Sequence, residues 1–332
     1  MSASHRYFHK TRRYILNGGE RFATVVDDRG LPAYYPTALL LSWRHRGISA
    51  NTLAAMASDL VHVGLWDLRE RIDLNQRLET GSYLDPVEIE TLAEACSLRT
   101  AAMRQLISGR VSKLLQGGTL PKELLVTNQQ KSRRLTTAMD YFDFVGSMAE
   151  ARVSKRSSEF ENRTSSRKEM LALIKHLRPK MKSSRVRGVI TSGELAKVAT
   201  FIGTGDPFSV WSDKSVARRN WALVTLLIAC GLRQGEERQL KPDDVDLAAC
   251  ELRVERRHDD PEDPRIDEPN AKTYDRIIPF GAAVAQVLED YLLGPGSDAA
   301  EKRGSPFIFL SHDNRTNGTP ISARTVQRVV NE

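Results

Sequence analysis

The chain has 332 residues, of which 40% are hydrophobic and 27% charged, and its formal net charge is +7. These values are typical of a soluble protein long enough for two domains with cores of their own and an appendage. The excess of positive charge weakly favours an anionic partner.

The cysteine pattern and the apolar runs exclude several classes of protein. Cys96, Cys230 and Cys250 are odd in number and far apart, which predicts reduced thiols and not a disulfide framework or a zinc site. Residues 1–13 contain no apolar segment of the signal-peptide type, and the longest apolar run, which ends at Leu232, is too short to span a bilayer. We therefore expect a cytoplasmic protein that needs no metal and no membrane.

Residues 1–30 predict a basic N-terminal arm and a β-hairpin. The arm, residues 5–13, interleaves basic residues with aromatic rings. Such a segment can follow a phosphate backbone and stack on bases, although a frayed terminus has the same composition. The Asn17-Gly18 turn signal between β-prone runs predicts a hairpin between Tyr14 and Val26. His5 and His9 lack a nearby third ligand, so a metal site is not expected there.

Residues 31–150 predict a compact helical domain. Apolar residues recur at helical spacing, and cap signals such as Asp85-Pro-Val-Glu88 mark where helices begin. The predicted helices are residues 37–46, a segment that begins at Ser49 or Asn51 and ends at Gly64, the segment after Asp85, and residues 132–148.

Residues 151–188 form a basic stretch that we predict to be a linker with a helix from Arg167 to Leu177. Between Glu150 and Gly188 there are twelve basic and three acidic residues, a net charge of +9, so the rest of the chain is slightly acidic. Such a linker could lie along DNA phosphates, or it could be a solvated helix face and connector. The candidate DNA-binding residues here are Arg152, Lys155, Arg156, Arg163, Arg167, Lys168, Lys180, Lys182, Arg185 and Arg187.

Residues 189–332 predict a second domain that mixes helices with a small sheet. A capping box at Thr191–Glu194 begins it, and the almost wholly apolar run from Trp221 to Cys230 predicts a buried helix that Gly231 ends. Strands are predicted at residues 251–255 and 276–280, and helices at residues 284–291 and 322–330. Residues 307–310 are predicted to form a short buried segment.

Two charged features of this domain each allow two interpretations. Arg233 lies at the edge of the predicted core and needs an anionic partner, which could be Glu236 on the next helical turn or a DNA phosphate. The acidic cluster Asp259–Asp263 could suggest a divalent cation. Its prolines and the absence of EF-hand spacing favour a solvated insertion instead.

Three blocks in this domain resemble the catalytic domain of the tyrosine recombinases, the phage-integrase and Xer-type family. A G-L-R-x-x-E-x-x-x-L block begins at Gly231 and ends at Leu240, and a K-T-x-x-x-R-x-x-P block runs from Lys272 to Pro279. The third block is the helix that follows Ile321. The resemblance implies a mainly helical fold: a helical, SAM-like core-binding domain that clamps DNA, then an α+β catalytic domain.

The resemblance also implies a chemistry, in which a tyrosine attacks a DNA phosphate and forms a 3′-phosphotyrosyl link without a cofactor or metal. Arg233 would hold the phosphate, Lys272 would protonate the leaving 5′-oxygen, and Glu236 would position Arg233. Arg276 would contact DNA. The implied partner is double-stranded DNA, on which family members assemble as tetramers, and no small-molecule substrate is expected.

The sequence departs from the family pattern after the last helix. The family's H-x-x-R block and nucleophilic tyrosine follow that helix, and neither is found by residue 332, while Tyr274 and Tyr291 lie in the wrong part of the pattern. We therefore expect a recombinase whose nucleophile-bearing segment is absent from this chain. The alternatives are a non-catalytic DNA-binding remnant or antagonist of a recombination site, and a helical RNA-binding or scaffold protein.

Overall fold

The computed structural model describes residues 8, 10–109, 121–180, 191–194, 196–197, 200, 207–272 and 274–331. The chain divides into two compact units, Met1–Tyr14 with Phe22–Ser184 and Ile15–Arg21 with Arg185–Glu332. The predicted fold class is confirmed, because the described residues are mainly helical and include a small antiparallel sheet.

The first unit is built from helices that surround one apolar core. Strands β1 (Lys10–Ile15) and β2 (Arg21–Val26) pair in the hairpin that Asn17-Gly18 predicts. The core contains Leu53, Trp66, Leu92 and Phe142, each with no exposed surface. The helices are α1 (Tyr34–His45), α2 (Ala50–Glu70), α3 (Leu74–Thr80), α4 (Pro86–Ala95), α5 (Thr100–Ile107), α6 (Asn128–Glu150) and α7 (Ser158–His176).

Helix α2 corrects the prediction that Gly64 ends the second helix. The helix continues through Gly64 to Glu70, and a side chain at Gly64 would meet the Cβ of Phe8 at 2.5 Å. The glycine therefore permits close packing in mid-helix instead of marking an end. The capping box of α4 is present as predicted, since the Glu88 amide donates to Asp85 at 2.8 Å and the Asp85 amide donates to Glu88 at 2.9 Å.

Helix α7 lies in the stretch for which the sequence predicts a linker. It begins after Ser157, well before the predicted start at Arg167, and its Met170 and Ile174 are buried in the core of the first unit. Arg167 donates from Nε and Nη2 to the buried Glu150 of α6, at 2.7 and 2.8 Å. This part of the basic stretch is therefore an integral helix of the first unit.

The second unit packs helices against a three-stranded antiparallel sheet in the order β3-β4-β5. Asp213 caps the buried helix. Gly231, which was predicted to end that helix, follows it with φ +60°. Leu226, Leu252, Leu288 and Phe309 are among the core residues. The elements are α8 (Lys214–Ala229), α9 (Gln234–Arg238), β3 (Val245–Asp246), β4 (Glu251–Val254), β5 (Arg276–Pro279), α10 (Ala282–Tyr291), α11 (Ser297–Arg303) and α12 (Ala323–Asn331).

The acidic segment between β4 and β5 is ion-paired, which differs from the solvated insertion that the sequence favours. Lys241 bonds to Asp260 at 2.9 Å and to Glu262 at 2.6 Å, and Arg238 donates to both oxygens of Asp267 at 2.8 and 3.1 Å. Basic residues of the same unit thus compensate its charge. Within the described part of the chain, no group of three or more His, Cys, Asp or Glu side chains could hold a metal ion.

Among the residues that the structure describes, no helix is both long enough and apolar enough to cross a bilayer.

We predict that Asp85→Ala lowers the free energy of unfolding by about 1 kcal/mol, because the amide of Glu88 loses its capping acceptor. Chemical denaturation monitored by circular dichroism measures the change. Glu90→Ala, which alters an exposed residue of the same helix, is the matched control and should change stability little. Equal stability of the two variants would contradict the role of the cap.

Candidate functional site

The turn between α8 and α9 places Arg233 at the surface. The chain reverses at Gly231, and Arg233 has extended backbone angles immediately before α9. Leu232 and Leu240 on either side are buried in the core of the second unit, so the segment between them is anchored at both ends. The side chain of Arg233 retains 56% of its accessible surface. A permanent cation is therefore held at the surface by a rigid turn.

Glu236 joins two arginines from different parts of the chain. Its fully buried carboxylate accepts from the backbone amide and Nη1 of Arg233 at 2.9 and 3.1 Å. It also accepts from Nη1 and Nη2 of Arg276 at 3.2 and 2.8 Å. The local partner predicted for Arg233 is thus present, and the structure adds Arg276, which the sequence placed only as a DNA contact. Two guanidinium groups share one carboxylate, which leaves the trio with a net positive charge.

Hydrogen bonds from Arg233 and Arg276 keep Glu236 in its charged form. Burial alone would raise the pKa of Glu236, but hydrogen bonds from Arg276 and Arg233 outweigh it and lower the pKa to about 2. Glu236 is therefore ionised at any pH at which the protein would work. An ionised carboxylate between two arginines fixes the direction in which both guanidinium groups point.

Lys272, the third residue of the predicted site, is exposed on the segment that leads into β5. The residue before it, Ala271, is buried in the core, and β5 begins four residues later at Arg276. Thr273 lies outside the described residues. Lys272 therefore lies four residues before Arg276, the first residue of β5, while Glu236 links Arg276 to Arg233.

The beginning of α12 is bound to the same region. Gln234 Nε2 donates to the carbonyl of Ala323 at 2.5 Å, and Arg238 Nε donates to the carbonyl of Ile321 at 3.2 Å. The third block of the family resemblance is therefore fixed next to the first.

Glu237 is a buried carboxyl group that sequence reasoning missed. It has no exposed surface, and neither side-chain oxygen has a hydrogen-bond partner among the described residues. Burial raises its pKa well above the usual value, because removal from water penalises the charged form. Its sequence neighbours, Glu236 and Arg238, are both charged, so no local sequence pattern indicates that Glu237 is buried.

The predicted DNA-binding residues of the basic stretch fall into three groups. Arg163 pairs with Glu159 at 2.7 Å, and Arg167 pairs with Glu150 and Asp143. Lys182, Arg185 and Arg187 lie outside the described residues. The remaining members of the set are all exposed: Arg152, Lys155, Arg156, Lys168 and Lys180.

The two tyrosines of the second unit have opposite environments. Tyr291 is fully buried, its hydroxyl accepts from the amide of Leu310 at 3.3 Å, and burial raises its pKa to about 12. Tyr274, two residues after Lys272, is 93% exposed. Tyr291 is thus a core residue, as its place in the sequence pattern implies.

Comparison with known families gives a match within the second unit. Residues 207–332 match the model of the phage integrase family, and this stretch contains Arg233, Glu236, Lys272 and Arg276. Residues 207–332 are a phage integrase family domain. The suspected family is therefore confirmed for this part of the chain.

Two solved structures are similar to this chain. A crystal structure of XerA recombinase is 19% identical, with 74% of this chain and 75% of that chain covered and a TM-score of 0.30. The integrase of the transposon Tn1549, in complex with transposon right end DNA, is 17% identical, with 88% and 76% covered and a TM-score of 0.38. No curated protein matches the chain.

We predict that Glu236→Gln lowers the free energy of unfolding at pH 7 by roughly 2 kcal/mol, because the charged acceptor of two arginines is lost. The folded-state pKa of Glu236 is depressed, so its contribution is present above its ordinary pKa of 4.5 and is lost as the pH falls toward 2. Urea denaturation of both proteins between pH 7 and 3 should show the difference shrinking with acidification. Glu289→Gln, at an exposed position of α10, is the control.

Glu237 should give the opposite pH dependence. The pKa of Glu237 is raised in the folded state. Its contribution to the free energy of unfolding is therefore fully present below the ordinary pKa of 4.5 and is lost as the pH rises. One such group changes stability by up to about 1.4 kcal/mol per pH unit. We expect Glu237→Gln to reduce the loss of stability between pH 5 and 8, as measured by urea denaturation. An unchanged slope would show that Glu237 is ionised in the folded protein.

Proposed function

We propose that this chain is part of a site-specific DNA recombinase that cuts and rejoins strands through a 3′-phosphotyrosyl intermediate. The observation that supports the proposal most is the pair of guanidinium groups, Arg233 and Arg276, held on the buried carboxylate of Glu236. Lys272 stands exposed four residues before Arg276, and all four residues belong to a phage integrase family domain.

In this proposal the cations stabilise negative charge on the DNA phosphate. When a tyrosine attacks a phosphodiester, charge accumulates on the non-bridging oxygens, and preorganised cations lower the energy of that state. Arg233, whose side chain is partly exposed although its backbone is fixed, would hold the phosphate. Lys272 would transfer a proton to the leaving 5′-oxygen. Glu236 would position both arginines and take no part in proton transfer, since its pKa is about 2.

The reaction requires neither a metal nor a nucleotide, because the phosphotyrosyl bond keeps the energy of the broken phosphodiester. It does require the nucleophilic tyrosine and the H-x-x-R block, which in the family pattern follow the helix that corresponds to α12. Reading the source DNA past codon 332 tests this requirement. A frame that continues into both motifs supports the recombinase. A stop codon there contradicts strand cleavage by this product and leaves a protein that binds DNA without cutting it.

We also propose that the first unit contacts the duplex through its exposed basic residues, Arg152, Lys155, Arg156, Lys168 and Lys180. Each phosphate that such a residue neutralises releases counterions, so the affinity should depend strongly on salt. Arg163 and Arg167 are excluded from this proposed set because acidic residues of the first unit already pair with them. The tetramer on DNA that the family implies can be tested by mass photometry of the DNA complex.

We predict that Arg233→Ala weakens binding to a duplex of about 30 base pairs and reduces the slope of log Kd against log salt by about 1. Fluorescence anisotropy at several salt concentrations measures both quantities. Lys272→Ala should behave similarly, whereas Lys302→Ala, at an exposed position of α11, should not. If Arg233→Ala and Lys302→Ala gave the same affinity and slope, Arg233 would not contact a phosphate.

A further inference from the structure

Gly235 lies where two segments of the second unit make a close backbone contact. It occupies the first turn of α9, between Gln234 and Glu236. A Cβ at this position would be 2.9 Å from the carbonyl oxygen and 3.4 Å from the amide nitrogen of Asn270. Gly235 is not among the residues with positive φ, so its backbone conformation does not require glycine. The limited space at this position does require glycine, because any side chain would press on the backbone of Asn270.

Asn270 is itself held in place. Its Oδ1 accepts from the amide of Arg257 at 3.0 Å, and its Nδ2 lies 3.1 Å from Nδ1 of His258. The following residue, Ala271, is 2% exposed and belongs to the core of the second unit. The backbone before Lys272 is therefore anchored from both sides.

The segment from Asn270 to Arg276 lies close to α9 at one end and is hydrogen-bonded to it at the other. At one end the carbonyl of Asn270 lies against Gly235, and at the other Arg276 donates to Glu236. Lys272 is two residues from Asn270, so their Cα atoms are separated by at most about 7 Å. Gly235 and Glu236, which are consecutive residues of α9, thus determine where the segment that bears Lys272 can lie relative to Arg233.

We propose that Gly235 and Asn270 are positioning residues, which set Lys272 at the distance from Arg233 at which both reach one DNA phosphate. This inference rests on the proposed function of Lys272 and Arg233. Neither Gly235 nor Asn270 touches the DNA in this proposal. The absence of a side chain at residue 235 lets the segment approach α9, and the amide of Asn270 keeps it there.

Gly235→Ala tests the close contact with Asn270 without destabilising α9. Alanine has a higher helix propensity than glycine, so the substitution is not expected to weaken α9 itself. The new methyl group must displace the backbone of Asn270, and Lys272 moves with it. Gly281→Ala is the matched control, because no heavy atom lies within 4 Å of the added Cβ and the φ of Gly281 is −85°.

The experiment measures the acetylation rate of each lysine by mass spectrometry, with and without a duplex of about 30 base pairs. At a DNA concentration that occupies about 90% of the protein, a contacted lysine should be protected about tenfold. We expect this protection at Lys272 in the unaltered protein and in Gly281→Ala. In Gly235→Ala it should fall to about twofold, with protection of Lys155 and Lys168 unchanged.

A second pair of variants tests Asn270 without introducing a clash. Asn270→Ala removes the acceptor for the amide of Arg257 and should reduce the protection of Lys272, whereas Asn270→Asp keeps an acceptor and should restore most of it. This pair decides the question if Gly235→Ala does not fold, which a thermal denaturation curve would reveal.

The outcomes separate the two proposals. Equal protection of Lys272 in the unaltered protein, Gly235→Ala and Asn270→Ala would overturn the positioning role and leave the proposed function intact. No protection of Lys272 in the unaltered protein, with Lys155 and Lys168 protected, would overturn the proposed role of Lys272 and the positioning role with it.

Discussion

The buried carboxylate of Glu236 is the interaction on which the arrangement of the second unit's site depends. A carboxylate without exposed surface is unfavourable unless charged partners compensate the loss of water. Here Arg233 and Arg276 do so, one from the start of α9 and one from the start of β5. The same bonds that keep Glu236 ionised also connect two segments that are about forty residues apart in the sequence. Removing the carboxylate would therefore affect charge and geometry together.

The segment between β4 and β5 shows how the charges of the second unit are balanced. Its acidic residues bond to Lys241, Arg238 and other basic residues of the same unit. Arg265 donates to Asp263 at 2.8 Å, and its guanidinium carbon lies 4.6 Å from the ring centre of Phe307. The acidic residues of this segment therefore pair with basic residues of the same unit.

Sequence reasoning predicted those parts of the structure that depend on local patterns. The hairpin, the capping box of α4, the turn at Gly231 and the helix after Ser322 follow from short-range rules, and each is present. The two blocks that contain Arg233 and Lys272 identified the family because residue type and spacing are local information. The roles of these residues in DNA chemistry remain predictions.

The features that the sequence did not predict depend on contacts between distant residues. Gly64 was expected to end a helix, but it lies within α2 at a close contact with Phe8, which is distant in the sequence. The partnership of Arg276 with Glu236 spans 40 residues, and no local pattern indicates it. Glu237 has a polar neighbour on each side in the sequence, so its complete burial could be recognised only once α9 was placed against the core.

The packing of α7 against α6 has a consequence for preparing the first unit as a separate fragment. A fragment that ended at residue 150, where composition suggests a domain boundary, would lack Arg167 and leave the buried Glu150 without its charged partner. It would also uncover the apolar surface on which Met170 and Ile174 pack. Such a fragment should aggregate or be cleaved by proteases, whereas one that extends past His176 keeps the helix, its ion pair and its core contacts.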